Sequence, residues 1–135
     1  MESYQVSIAI KTDTDIVSAR QQARELAKNL KFSSSELAGI AAAISELARN
    51  IVSYAKDGTI VANLIEEKGK QGLMIIAKDT GPGIPDISLA MQNGYSTSNS
   101  LGLGLPGVQR LMDNFEISSE VGKGTVVTIK KWVVS

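Results

Sequence analysis

All three prolines and six of the twelve glycines of this 135-residue chain lie in one stretch, Gly81 to Gly107. Proline fixes φ and removes a backbone donor, and glycine inside a helix or strand costs about 0.5–1 kcal/mol relative to alanine. The stretch therefore reads as a loop shaped for something other than stability. It separates a long N-terminal part, able to form regular elements, from a short C-terminal one.

A chain of 135 residues suits a single domain spanning residues 1–135, able to bury roughly 68% of the surface its unfolded form exposes. It contains no cysteine and no histidine. That excludes a disulfide framework, a Cys/His zinc site, a cysteine nucleophile and histidine-based proton transfer within the chain. A general base must then be a carboxylate, a lysine or a tyrosine. Fourteen basic residues balance fourteen acidic ones, which argues against tracking nucleic-acid phosphates. No run approaches 18 apolar residues and the start resembles no signal peptide. These features lead to the expectation of a cytoplasmic protein with neither nucleic acid nor membrane as partner.

Outside the central stretch, periodicity marks the elements. Tyr4, Val6, Ile8 and Ile10 alternate with polar or small residues as in a half-buried strand. Thr12 or Asp13 can cap a helix carrying Ile16, Ala19, Ala23, Leu26, Ala27 and Leu30 at helical spacing. Ser33–Ser35 can cap a longer helix through Leu37, Ile40, Ile44, Leu47 and Ile51, ended by the Asp57-Gly58 turn signal. Thr59–Glu66 and Leu73–Lys78 read as a hairpin joined through residues 68–72, and Phe115–Ser119 and Thr125–Val134 as a second pair turning at Gly122-Lys123-Gly124.

Three pieces carry chemistry. Glu46 and Asn50, at i and i+4, lie one above the other beside the apolar stripe of the long helix, where a polar pair can face a cleft. Asp79 closes an apolar strand and is followed by Thr80-Gly81-Pro82-Gly83. A carboxylate there can accept from a ligand amine while the glycines let the ligand approach. Gly102-Leu103-Gly104-Leu105-Pro106-Gly107 precedes a helix, whose unpaired amides form a ready phosphate site. No Gly-Lys-Ser/Thr follows, so this is not a Walker A loop.

In this order and spacing the three pieces resemble the nucleotide-binding boxes of the GHKL ATPase/kinase superfamily. The first matches the N box, Asp79–Gly83 the first glycine box and Gly102–Gly107 the second. Segments Ile44–Ile51, Asp79–Ile87 and Gly94–Asp113 are closest to the switch-protein serine kinases of bacterial stress signalling, near the anti-sigma-factor serine kinases. The resemblance implies an α+β fold, a two-layer α/β sandwich with helices on one face of a mixed, mostly antiparallel sheet (the Bergerat ATP-binding fold). It implies ATP and Mg²⁺ as cofactors, with Asn50 the metal ligand and Glu46 the catalytic base. Asp79 would bind the adenine amino group, with Thr125 nearby, and Gly81 and Gly83 would shape the adenine pocket. Backbone amides around Gly102, Leu103, Gly104 and Gly107 would cradle the phosphates, and residues 84–101 would form a lid. Arg49 could contact phosphate or protein substrate, or pair with an acid. The implied substrates are STAS-domain antagonist and co-antagonist proteins of a stressosome-type complex. The implied later partner is the regulatory domain of a PP2C-type phosphatase. An alternative is an anti-sigma factor that sequesters a sigma subunit and phosphorylates its antagonist. Two departures stand out: relatives commonly have alanine where Ile51 stands and often histidine near Tyr54.

Overall fold

A computed structural model describes residues 5–55, 57–84, 91 and 104–134. Among them are five strands and three α-helices in the order β1 (Gln5–Ile10), α1 (Asp13–Ala27), α2 (Ser34–Asn50), β2 (Gly58–Glu67), β3 (Lys70–Asp79), α3 (Gly104–Leu111), β4 (Asn114–Glu120) and β5 (Gly124–Trp132). The strands form one sheet ordered β1-β2-β3-β5-β4. Every described pairing is antiparallel, which agrees with the α+β expectation of a mostly antiparallel sheet.

Alternation puts Ile8, Ile10, Ile60, Ala62, Leu73, Ile75, Ala77, Val127 and Ile129 on one face, all buried. The helices cover that face. From α2, Ile40, Ile44 and Leu47 are buried against it, and from α1, Ala19, Ala23 and Leu26. Small residues dominate the inward side of α1, so α1 and α2 can pack closely. Burying one isoleucine contributes about 1.5–3 kcal/mol, and this stripe is the main reason α2 lies where it does.

Local signals set the helix starts. Ser33 Oγ accepts from the Glu36 amide (3.1 Å) and Glu36 Oε1 accepts from the Ser33 amide (2.8 Å), a reciprocal cap. At α1 the Asp15 carboxylate turns back instead, accepting from the Lys11 and Thr12 amides at 2.8 and 3.0 Å. Two elements differ from the periodicity. The first hairpin closes at Lys68-Gly69 (φ 53° and 82°) rather than across residues 68–72, because the ladder continues to the pair Glu67–Lys70. The long helix does not stay α-helical to Ile51. It ends at Asn50 and runs on as a π-helical turn, Ile51–Ala55. No helix among the described residues is long and apolar enough to cross a membrane.

The topology gathers particular termini at one end of the sheet. There β1 ends at Ile10, β2 begins at Gly58, β3 ends at Asp79, and the β4–β5 turn joins Glu120 to Gly124. Helix α2 leads through its π turn to the same end, and α3 packs on α2.

Candidate functional site

Glu46 is the one buried charged residue among the described residues, 4% exposed. Beside the apolar stripe its side chain is drawn inward, and a carboxylate removed from water requires a counter-charge. Arg49, one turn on, supplies it: Nη1 donates to Glu46 Oε1 at 2.7 Å. Arg49 is thus paired with an acid, and that acid, Glu46, is buried rather than on the surface. No side-chain oxygen buried among the described residues lacks a partner. Glu46 Oε2 accepts no hydrogen bond among the described residues. Asn50 follows as the last α-helical residue, half-buried, and its amide makes no hydrogen bond among the described residues.

Asp79, half-buried, ends β3 opposite Thr125. Its Oδ1 accepts from the Gly81 amide (2.9 Å) and from the Thr125 amide (3.3 Å), while Oδ2 has no protein partner among the described residues. One oxygen thus fixes the carboxylate and the other is left to accept from a ligand. Thr125 Oγ1 is 2.8 Å from Ser119 Oγ, which also accepts from the Ile84 amide at 2.7 Å. Ser119 ties Thr125 to the segment leaving the first glycine box, a connection the sequence reading missed. Its signal was the register: counted back around the Gly122 turn, Ser119 faces Thr125.

The glycines divide by what surrounds them. A side-chain carbon on Gly81 would meet Ala55 of the π turn, 2.6 Å from its Cβ and 2.7 Å from its Cα. On Gly83 it would strike the Glu120 carbonyl, and on Gly124 (φ 126°) the Asp79 carbonyl. These three glycines let backbone segments press together behind the Asp79 carboxylate. Among the described residues, a side-chain carbon on Gly104 would find only Pro106 of its own turn, at 3.6 Å. Gly104 begins α3 with φ 67°, and Gly107 is buried within the first turns. The amides of that turn, less the one Pro106 lacks, point away from the helix at its positive end. Gly102, Leu103 and the expected lid, apart from Ile84 and Met91, lie outside the described residues.

Helix α2, the Asp79 end of the sheet and α3 together supply a carboxylate with one oxygen unbonded among the described residues, an amide without a partner among them, a second carboxylate aimed by two backbone amides, and a helix N-terminus. This set can hold a nucleobase amine, a hard cation and phosphate oxygens.

Comparisons with known proteins agree. The histidine kinase-like ATPase domain family matches residues 10–131. The chain belongs to that family. Within it the chain is of the RsbT serine/threonine-kinase type. It is 52% identical over 129 residues, 96% of this chain and 97% of the other, to serine/threonine-protein kinase RsbT of Bacillus subtilis (strain 168). It is 32% identical over 123 residues, 85% of this chain and 83% of the other, to the anti-sigma F factor of Caldanaerobacter subterraneus subsp. tengcongensis. Among solved structures, the RsbU and RsbW domains of Rv1364c from Mycobacterium tuberculosis superpose with a TM-score of 0.64 at 21% identity. That match covers 97% of this chain and 33% of the other. The mycobacterial sensor histidine kinase MprB gives 0.57 at 15% identity, covering 97% of each chain. At those identities the two structures bear on the fold alone.

Proposed function

We propose that this chain is a cytoplasmic, Mg²⁺-dependent serine/threonine protein kinase whose substrates are STAS-domain antagonist and co-antagonist proteins of a stressosome-type complex. Once released from that complex it binds the regulatory domain of a PP2C-type phosphatase and activates it. Residues 1–135 act as one ATP-binding domain with residues 84–101 as its lid. The observation that carries this reading is the Glu46 carboxylate: buried, held through Oε1, with Oε2 unbonded among the described residues, and one helical turn before the Asn50 amide, which likewise has no partner among them.

Phosphoryl transfer is mainly positioning and charge neutralisation. Asp79 Oδ2 accepts from the adenine amine, with Thr125 beside it. Gly81 and Gly83 shape the pocket through their backbone packing. The amides at the start of α3, with Gly102, Leu103, Gly104 and Gly107, bind phosphate oxygens. Glu46 Oε2 takes the proton of the substrate hydroxyl as its oxygen bonds to the γ-phosphorus and the bond to ADP breaks. Among the described residues no group of three or more carboxylates, histidines or cysteines could hold a metal unaided. A cation bound through one amide oxygen, with phosphate and water completing its shell, fits that donor set. Mg²⁺ held by Asn50 would neutralise charge on the transferring phosphoryl group.

Labelled-phosphate transfer from ATP to purified STAS-domain proteins encoded beside this chain tests the reading. Glu46→Gln keeps shape and should bind ATP while transfer falls by about 10²–10⁴-fold. Transfer at the unmodified rate would remove Glu46 from the chemistry. The similarity to anti-sigma F factors favours one second reading, a kinase that also sequesters a sigma subunit. Capture of a sigma factor in place of a phosphatase regulatory domain, using the tagged chain, would decide for it.

A further inference from the structure

We infer that Arg49 is a positioning residue for phosphoryl transfer, holding the Glu46 carboxylate so that Oε2 alone faces the proton to be removed. The inference rests on the reading of Glu46 as the base and goes beyond it by assigning a role to the neighbouring cation.

The geometry separates the two carboxylate oxygens. Oε1 lies 2.7 Å from Arg49 Nη1, a short charge-assisted contact, while Oε2 has no partner among the described residues. The carboxylate side chain is 5% exposed, whereas that of Arg49 is 40% exposed. An exposed ion pair contributes little and is readily broken. Here one member is enclosed, so losing the arginine leaves a carboxylate with neither water nor counter-ion around Oε1. Its inexpensive response is to rotate toward solvent, which takes Oε2 off line. Misplacing a reacting group by about 1 Å can cost a hundredfold in rate.

Arginine also suits both sides of the step. Before transfer it balances the carboxylate charge. When the hydroxyl proton moves to Oε2, Oε1 remains a carbonyl-type acceptor and Nη1 can stay bonded to it. The base therefore keeps its place while its charge changes, and the guanidinium neither gains nor loses a proton. The contact uses one guanidinium nitrogen, so a lysine ammonium can make it.

The test compares Arg49→Gln, Arg49→Lys, Glu46→Gln and the double variant Glu46→Gln/Arg49→Gln. Each is assayed with ATP and a STAS-domain protein already shown to accept phosphate. Arg49→Gln should lower kcat about 10- to 100-fold with both KM values within about twofold. Arg49→Lys should restore kcat to within about threefold of the unmodified protein, and Arg49→Gln should cost nothing further once Glu46 is glutamine. A rise in the KM for ATP or for the STAS protein at unchanged kcat would make Arg49 a ligand contact and overturn the inference. Full activity of Arg49→Gln beside an inactive Glu46→Gln would overturn it too, leaving the Glu46 reading standing. Full activity of Glu46→Gln would remove both. Should the glutamine variant fail to fold, the lysine variant decides: folded but about tenfold slow, it overturns the inference.

Discussion

Both ends of the five-stranded sheet depend on glycine, for opposite reasons. At the hairpin end, Lys68-Gly69 makes a two-residue turn, and a side chain on Gly69 would stand in open space. Around it the contacts are structural. Trp132 lies across Gly72, its indole donates to Asn114 at 2.8 Å, and Lys130 and Lys131 pair with Glu67 and Asp113. At the Asp79 end, Gly81, Gly83 and Gly124 are enclosed by backbone from the π turn and the β4–β5 turn. There polar groups are left partly unpaired among the described residues: Asp79 Oδ2, Glu46 Oε2 and the Asn50 amide. One end satisfies its polar groups internally; the other holds them in place and leaves them open. Dense packing and unused hydrogen-bonding capacity together separate a site from a turn.

Two asparagines give the sharpest way to break that contrast. Asn50→Ala should lower phosphate transfer by about 100-fold or more, since metal neutralisation of a transferring phosphoryl group contributes several kcal/mol. Its thermal unfolding should barely move, because the amide has no partner to lose among the described residues. Asn114→Ala should do the reverse, losing about 0.5–1.5 kcal/mol of stability through the Trp132 bond and leaving transfer intact. Equal stability losses with equal activity would erase the distinction between the ends.

Paired glycine variants come next. Gly124→Ala sets a side chain at positive φ against the Asp79 carbonyl, and should cost about 3 kcal/mol or more and weaken binding of a fluorescent ATP analogue. Gly69→Ala, strained but unobstructed, should cost about 1 kcal/mol and leave nucleotide affinity alone. Chemical denaturation and nucleotide titration on both variants check this. Ser119→Ala should fall below these, at about 1 kcal/mol, with a modest rise in the KM for ATP as Thr125 loses its anchor.

Much of this was legible before any coordinates. Alternation and 3.6-residue spacing gave the five strands, α1 and α2 their types, because each buries one face. Thr125 stands opposite Asp79, near it as expected; the helix expected after Gly107 instead begins at Gly104. What escaped depends on three-dimensional approach. The π turn brings Ala55 against Gly81, two residues 26 apart in sequence. Glu46 looked like a residue flanking the stripe, since periodicity reports an angle and not how deep the neighbouring elements sit. The glycines after Asp79 looked like room for a ligand. Their surroundings are backbone, which no local pattern discloses.

The smallest effect concerns a group near the site end that is no part of the site. Helix α1 starts two residues beyond β1, and the amides of Lys11 and Thr12 hold the Asp15 carboxyl below its ordinary value. The ionised form therefore favours the fold. Its contribution is complete above the unfolded value of about 3.9 and is lost as pH falls through the lower folded value. Asp15→Asn cannot carry that charge. It should be slightly less stable than the unmodified protein at neutral pH, and the gap in urea midpoint should close below about pH 4. Transfer at neutral pH should be unchanged, because this carboxylate spends its acceptor on the Lys11 and Thr12 amides of its own helix start. A gap that persisted in acid would assign the cap to shape alone. A loss of transfer would extend the site to α1 and weaken the rule that it consists of the groups left open.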